Sequence, residues 1–219
     1  MIMSKEKKII VIASGNPGKL RELSALMQGL DVELHPQSDF NVPEAEEIGL
    51  TFVENAILKA RNAAKVSGHP AIADDSGIEI DYLNGAPGIY SARFSGPNAT
   101  EEENNQKLLD ELKGVSEAQR TARYFSSIVY MRHAEDPAPI IAEGIWEGVI
   151  LTEPRGEGGF GYDPLFYLPE HGCASAELSA EYKNRISHRG IALRELTKKL
   201  ELTLEHDREN EEAFGQKTR

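Results

Sequence analysis

Two hydrophobic rhythms alternate along the first two-thirds of the chain. Ile9 to Ala13 is an unbroken apolar run, which predicts a buried strand, and Leu20, Leu23, Leu26 and Met27 follow at helical spacing. Val32 to Leu34 predicts a second strand, before an acidic loop through Glu44, Glu46 and Glu47. Thr51 opens the clearest helix. With Glu54 it forms a potential capping box, Phe52, Ala56, Ala60, Ala63 and Ala64 share one apolar face, and Gly68 and Pro70 stop the pattern. Pro70 to Ala73 is a short apolar run leading into a polar turn, beyond which Ile78, Ile80 and Tyr82 alternate with acidic residues as a further strand. Asn104 to Leu112 predicts another helix. Tyr124 to Met131 and Ile140 to Ile150 then predict a strand pair, and Ser187 caps a last helix with Ala192, Leu193, Leu196 and Leu200 at core spacing. Residues 206–219 are polar, charged and aperiodic, and read as a frayed or disordered tail. The alternation of strands and helices indicates an α/β fold, with residues 1–205 as one domain and 206–219 as the tail.

A chain of 219 residues with 40% hydrophobic content can bury a full core. Its net charge of −12 provides no overall basic field to hold nucleic acid, so an anionic ligand must be gripped by a local pocket. No apolar run approaches a signal-peptide core or a membrane span, which suggests a cytoplasmic protein. A single cysteine, Cys173, makes neither an intramolecular disulfide nor a zinc site by itself, and nothing near it in sequence marks it as an activated nucleophile.

The candidate chemistry lies between the apolar runs. Asp74 and Asp75 are adjacent carboxylates followed by Ser76 and Gly77, a group suited to Mg²⁺ and phosphate, although Asp, Ser and Gly also make ordinary turns. Ser14, Gly15, Asn16, Pro17, Gly18 and Lys19 follow the first strand and lead into a helix, where amides, helix dipole and ammonium favour an anion. The spacing is not that of a Walker loop, and a plain strand-to-helix turn is the competing reading. Asn55 and Lys59 share one edge of the long helix, facing either the same cleft or solvent. Gly156 to Pro164 sets Phe160, Gly161, Tyr162 and Asp163 among glycines, either to stack and bond a base or as a bulged hairpin whose rings enter the core. Lys183, His188 and Arg189 form a cationic trio that could meet base carbonyls or phosphates, or sit individually as surface charges.

Taken together, the segments SGNPGK, GLTFVENAILKA, ADDSG, GAPGIYSARFSG, GGFGYDPLF and SHRG, in order from Ser14 to Gly190, are similar to the inosine triphosphate pyrophosphatase family. That resemblance implies an elongated mixed sheet with flanking helices, two lobes around a central nucleotide-binding cleft, and a homodimer. It implies Mg²⁺-dependent hydrolysis of deaminated purine nucleoside triphosphates (ITP, dITP, XTP) to monophosphate and pyrophosphate. Asp75 would be the general base or a metal-linked carboxylate, and Ser14 to Lys19 would hold the triphosphate. Ser76, Phe160 to Asp163, Lys183, His188 and Arg189 would line the nucleotide. An acidic residue ahead of the long helix would join the metal; Glu46 is the first choice and Glu47 the second. Ser14 stands where the family often has threonine, and the hydroxyl is kept. A pyrophosphatase for other modified nucleotides, or a nucleotide-binding regulator without turnover, are the alternatives.

Overall fold

The computed structural model describes residues 7–28 and 30–215, with 206–215 described by backbone alone. Seven strands form one open sheet in the order β2-β1-β3-β4-β5-β6-β7. The first three, β1 (Lys8–Ile12), β2 (Val32–Pro36) and β3 (Ala71–Ile80), are parallel. Parallel neighbours need crossovers, supplied by α1 (Pro17–Leu26) and α2 (Phe52–Ser67). From β3 onward the sheet is antiparallel through β4 (Thr121–Met131), β5 (Ile140–Ile150), β6 (Phe166–Leu168) and β7 (Cys173–Ala174). Three further helices, α3 (Glu101–Glu111), α4 (Ala180–Ile186) and α5 (His188–Gly215), complete the mixed α/β architecture.

Local chemistry accounts for most helix ends. The Thr51 hydroxyl accepts from the Glu54 amide, and the Glu54 carboxylate reaches back to Thr51 Oγ1 and the Leu50 amide. Gly68 closes α2 at φ +72°. Ser187 caps α5 by accepting from the Gly190 amide. Helix α3 starts three residues ahead of the expected Asn104 because Thr100 and Glu103 form a reciprocal capping box. Residues 206–215 depart from the expected tail: α5 continues through Gly215, while 216–219 lie outside the described residues.

One correction matters for the site. Asp74 to Gly77 do not form a turn; they occupy the middle of β3, in unbroken register with Ile128 to Phe125 of β4. The strand persists because its ends are anchored on both sides of the polar centre. Ala71, Ile72 and Ala73 pack among residues of β1, α2 and α5, whereas Ile78 and Ile80 pack with Leu108 and Leu112 from the α3 segment. The polar centre of β3 lies where these apolar clusters meet. Alternation along the strand sends Asp74 and Ser76 to one face and Asp75 to the other.

Helix α5 approaches β5 closely at Gly144. A Cβ there would stand 2.0 Å from the His188 carbonyl oxygen and 2.8 Å from the Ala192 nitrogen. Gly144→Ala is therefore expected to push the first turn of α5 outward and cost about 1–3 kcal/mol of stability. Denaturant unfolding checks this; an unchanged midpoint would show that α5 shifts without loss.

Candidate functional site

Helix α1 begins at the Asn16 cap. The Asn16 side-chain oxygen accepts from the Gly18 amide at 2.8 Å and the Lys19 amide at 3.1 Å, and Ser14 Oγ accepts from the Asn16 amide. Those amides are engaged by the cap, so the positive charge here is chiefly that of Lys19. Lys19 Nζ lies 2.8 Å from Asp74 Oδ2, and burial lowers the Lys19 pKa against the pull of Asp74.

Asp74 is a hub rather than an open ligand. It accepts from Ser126 Oγ at 2.7 Å and from Ser76 Oγ, and pairs with Arg189 at 3.3 Å. Burial alone would raise its pKa, but Lys19 and Arg189 hold the carboxyl well below the usual range. Glu22, one turn beyond Lys19 on α1, bonds Arg189 and lies 3.3 Å from Lys183 Nζ; Lys183 in turn bonds Asp163 Oδ2 at 2.6 Å. The cationic trio is therefore interior: Lys183, His188 and Arg189 are all buried, and none is a surface charge. Lys183 and Arg189 each have carboxylates to offset the cost of leaving water, whereas His188 is buried without one.

Asp75 faces the other side. Its Oδ1 accepts from Lys59 Nζ at 2.6 Å, and the same ammonium lies 3.1 Å from Glu47 Oε1, whose other oxygen accepts from Arg93 at 2.8 Å. Neither member of the Asn55 and Lys59 edge of α2 faces solvent: Asn55 is buried and holds the Gly49 amide, and Lys59 lines the site. Glu47, not Glu46, shares a partner with Asp75. Glu46 is exposed at the border of the depression, while its neighbour Glu47 meets the two cations. Burial raises the Asp75 pKa, with Lys59 and Lys19 opposing. Its Oδ2 is buried without a hydrogen-bond partner among the described residues.

The glycine-rich loop divides its residues. Tyr162 enters the core and donates to the Ser91 carbonyl at 2.7 Å. Asp163 is buried too, binding the Phe160 amide, Ser175 Oγ and Lys183, and so fixes the loop instead of offering a free edge. Phe160 remains part-exposed, with Lys183 Nζ 4.6 Å from its ring centroid; its ring packs so closely on Gly18 that a Cβ there would meet it at 2.9 Å. His188 stacks on Tyr124, ring centroids 4.6 Å apart and 7° from parallel.

These groups line two adjoining spaces. One, of about 310 Å³, is bounded by Asp75, Phe160, Tyr124, Lys183, His188 and Arg189 together with Ile89, Ser91, Ala92, Arg93 and Asn104. The second, of about 650 Å³, is bounded by Ser14, Gly15, Glu44, Glu46, Glu47 and Lys59. Asn16, Lys19, Glu47, Ala92 and Arg93 border both. The first suits a flat polar ring and the second suits a polyanion beside carboxylates. Glu22, Arg93 and Tyr124 carry no sequence signal strong enough to place them here, and Asp74, expected from sequence to share a cation site with Asp75, is instead taken up by Lys19 and Arg189. Glu22 had one available signal, its i,i+3 spacing from Lys19 on an amphipathic helix.

Burial, reinforced by Arg189, also holds the His188 pKa well below its ordinary 6.5. The unfolded chain accepts a proton below about pH 6.5 that the folded imidazole refuses, so stability is expected to fall as pH drops from there. Thermal melts across that window, compared with His188→Phe, check the sign: the variant flattens the decline, and an identical slope assigns the proton elsewhere.

The chain matches the Ham1 family model over residues 10–199. It is 62% identical over 192 residues to the dITP/XTP pyrophosphatase of Thioalkalivibrio sulfidiphilus, covering 88% of this chain and 98% of that one. Identity to the dITP/XTP pyrophosphatase of Escherichia coli strain K12 is 57% over 185 residues, or 84% of this chain and 94% of the other. Among solved structures, a HAM1 protein from Coxiella burnetii aligns with a TM-score of 0.83 at 51% identity, covering 88% of this chain and 98% of that chain. The Staphylococcus aureus Ham1 protein aligns at 0.79 and 41% identity, covering 89% and 98%.

Proposed function

The chain belongs to the Ham1 family, and from that premise we propose that it hydrolyses deaminated purine nucleoside triphosphates such as ITP, dITP and XTP to the monophosphate and pyrophosphate. The observation that carries this reading is the place of Asp75, a buried carboxylate with one unpartnered oxygen, in the wall of a ring-sized space that adjoins a polyanion-sized one. The relatives' names point the same way.

In this reading the base lies against Phe160, with the Arg189 and Lys183 cations toward its 6-oxo edge, where adenine would present a donor instead of an acceptor. The triphosphate extends past Lys19 toward Lys59. Asp75 orients a water for attack on the α-phosphorus and takes its proton as the bond to the bridging oxygen of the leaving pyrophosphate breaks. Desolvation suits Asp75 to that role, since a raised carboxyl pKa makes a stronger base.

Mg²⁺ is part of the proposal. Among the described residues no cluster of three or more metal-ligating side chains exists, but Asp75, with its spare oxygen, and Glu47 fit an ion that takes one or two protein carboxylates and completes its shell with water and phosphate. Bound there, it would supply charge neutralisation on the phosphates and the departing pyrophosphate. Homodimer assembly and a cytoplasmic location belong to the same proposal. No helix among the described residues is long and apolar enough to cross a membrane.

Release of pyrophosphate or orthophosphate from ITP, XTP, GTP and ATP, with and without Mg²⁺, is the test. Pyrophosphate from ITP and XTP only with metal is expected. Orthophosphate would move the cleavage site, and ITP that binds intact would select the regulator. A separate expectation concerns the base: Phe160→Ala lowers kcat/KM for ITP by about tenfold or more, since stacking contributes about 1–3 kcal/mol per base. An unchanged kcat/KM would make Phe160 a packing residue for Gly18.

A further inference from the structure

Lys59 sits where a divalent cation would be wanted. Its ammonium lies 2.6 Å from Asp75 Oδ1 and 3.1 Å from Glu47 Oε1. An ion taking those same two oxygens at the Mg²⁺–oxygen distance of about 2.0–2.1 Å would compete with that ammonium for their lone pairs, and the ammonium, with no lone pair of its own, cannot ligate it and repels it. We propose that Lys59 is an exchangeable counter-ion: it holds Asp75 and Glu47 together when no metal is bound, and yields their oxygens when a divalent cation enters.

Three features single out Lys59 rather than its neighbours. Its partners are the carboxylate with the orphaned oxygen, Asp75, and the adjacent Glu47. Lys19 bonds Asp74 instead. Arg93 holds only the far oxygen of Glu47, through a planar fork that reorients less freely than an ammonium on a four-carbon stem. Lys59 also has somewhere to go. It borders the same depression as Ser14, Gly15 and Lys19, so on leaving the carboxylates it can turn toward phosphate oxygens there. Metal alone then has to displace a cation that finds no new partner, while metal arriving with a polyphosphate gives that cation one. Binding of the two is thereby coupled with positive sign.

The inference rests on the metal part of the proposed function, and manganese(II) binding read by electron paramagnetic resonance separates the two. The full chain is titrated with manganese(II) alone and again with α,β-methylene-ITP present, as wild type, Lys59→Gln and Lys19→Gln. Lys59→Gln is expected to bind metal alone on the order of tenfold or more tighter than wild type, as loss of a directly competing charge predicts. Lys19→Gln, which removes a charge but no competitor for those oxygens, is expected to change little. Equal gains in the two lysine variants would reduce the effect to the general field and overturn the exchange. No gain in Lys59→Gln, with wild type still binding metal beside the nucleotide analogue, would also overturn it while leaving the metal reading intact. Absence of metal binding even with the analogue would remove both. If Lys59→Gln does not fold, Lys59→Arg keeps the charge and clamps both carboxylates with its fork. It should then bind manganese(II) more weakly than wild type beside the analogue, and an unchanged affinity overturns the proposal.

Discussion

Asp75→Asn is expected to abolish measurable turnover of ITP while nucleotide binding remains detectable. The amide is nearly the same size, so β3 keeps its register with Ser127 of β4 and the surrounding apolar clusters are untouched. What is lost is the proton acceptor and one of the two carboxylates suited to a cation. A positioned general base contributes about 10²–10⁴-fold in rate, and the same substitution removes a full charge from the proposed Mg²⁺ site, so a fall of about 10³-fold or more is the expectation. The groups facing the base and the far phosphates, including Phe160, Arg189 and Lys19, do not bond Asp75. Equilibrium binding of α,β-methylene-ITP beside steady-state pyrophosphate release separates the two effects. Wild-type turnover would remove Asp75 from the mechanism; loss of binding with turnover would make it a structural residue.

Arg189→Ala is expected to be the most destabilising single change at the site. The guanidinium is fully interior, pairs with Asp74 at 3.3 Å and bonds Glu22 on the opposite side. Burial works against the charge, but Asp74 and Glu22 outweigh it and raise the Arg189 pKa. Removing one partner of a buried ion pair costs about 3–5 kcal/mol because the remaining charge stays desolvated, which for a chain of this size lowers the melting temperature by about 6–20 °C. Arg189→Lys should recover only part of that, since one ammonium cannot span both carboxylates as the planar fork does. Thermal unfolding of the three proteins reads the order directly. A melting temperature for Arg189→Ala within a degree or two of wild type would mean that Asp74 and Glu22 are adequately held by Lys19, Lys183 and the two serines.

Much of this molecule follows from local order along the chain. The periodicities predict β1, α1, α2, β4, β5 and the start of α5, the helices by one apolar face and strands such as β1 by an unbroken apolar run buried on both faces, and Thr51 and Ser187 signal their caps by side chains that bond amides three residues on. The motifs, taken together, also identify the family, since six short segments in fixed order are far more specific than any one of them. Charge balance and the single cysteine narrow the chemistry further, independently of the fold.

Long-range geometry decided the rest. Asp74 and Asp75 look equivalent in the sequence, yet strand alternation sends one to Lys19 and Arg189 and the other to Lys59, so one is locked by partners and the other keeps a free oxygen. That the pair lies inside a strand and not at a turn depends on apolar packing at both ends of β3, which the sequence of the pair itself does not encode. Glu46 and Glu47 are likewise indistinguishable until the loop ahead of α2 delivers Glu47 to Lys59 and Arg93. Lys183 and Arg189 read singly as surface charges because their compensating groups, Glu22, Asp74 and Asp163, come from α1, β3 and the glycine-rich loop, up to 167 positions away, and His188 because the Tyr124 ring it stacks on comes from β4. Local patterns set which residues form helices and strands; burial and pairing across the sheet set which charges are free to act.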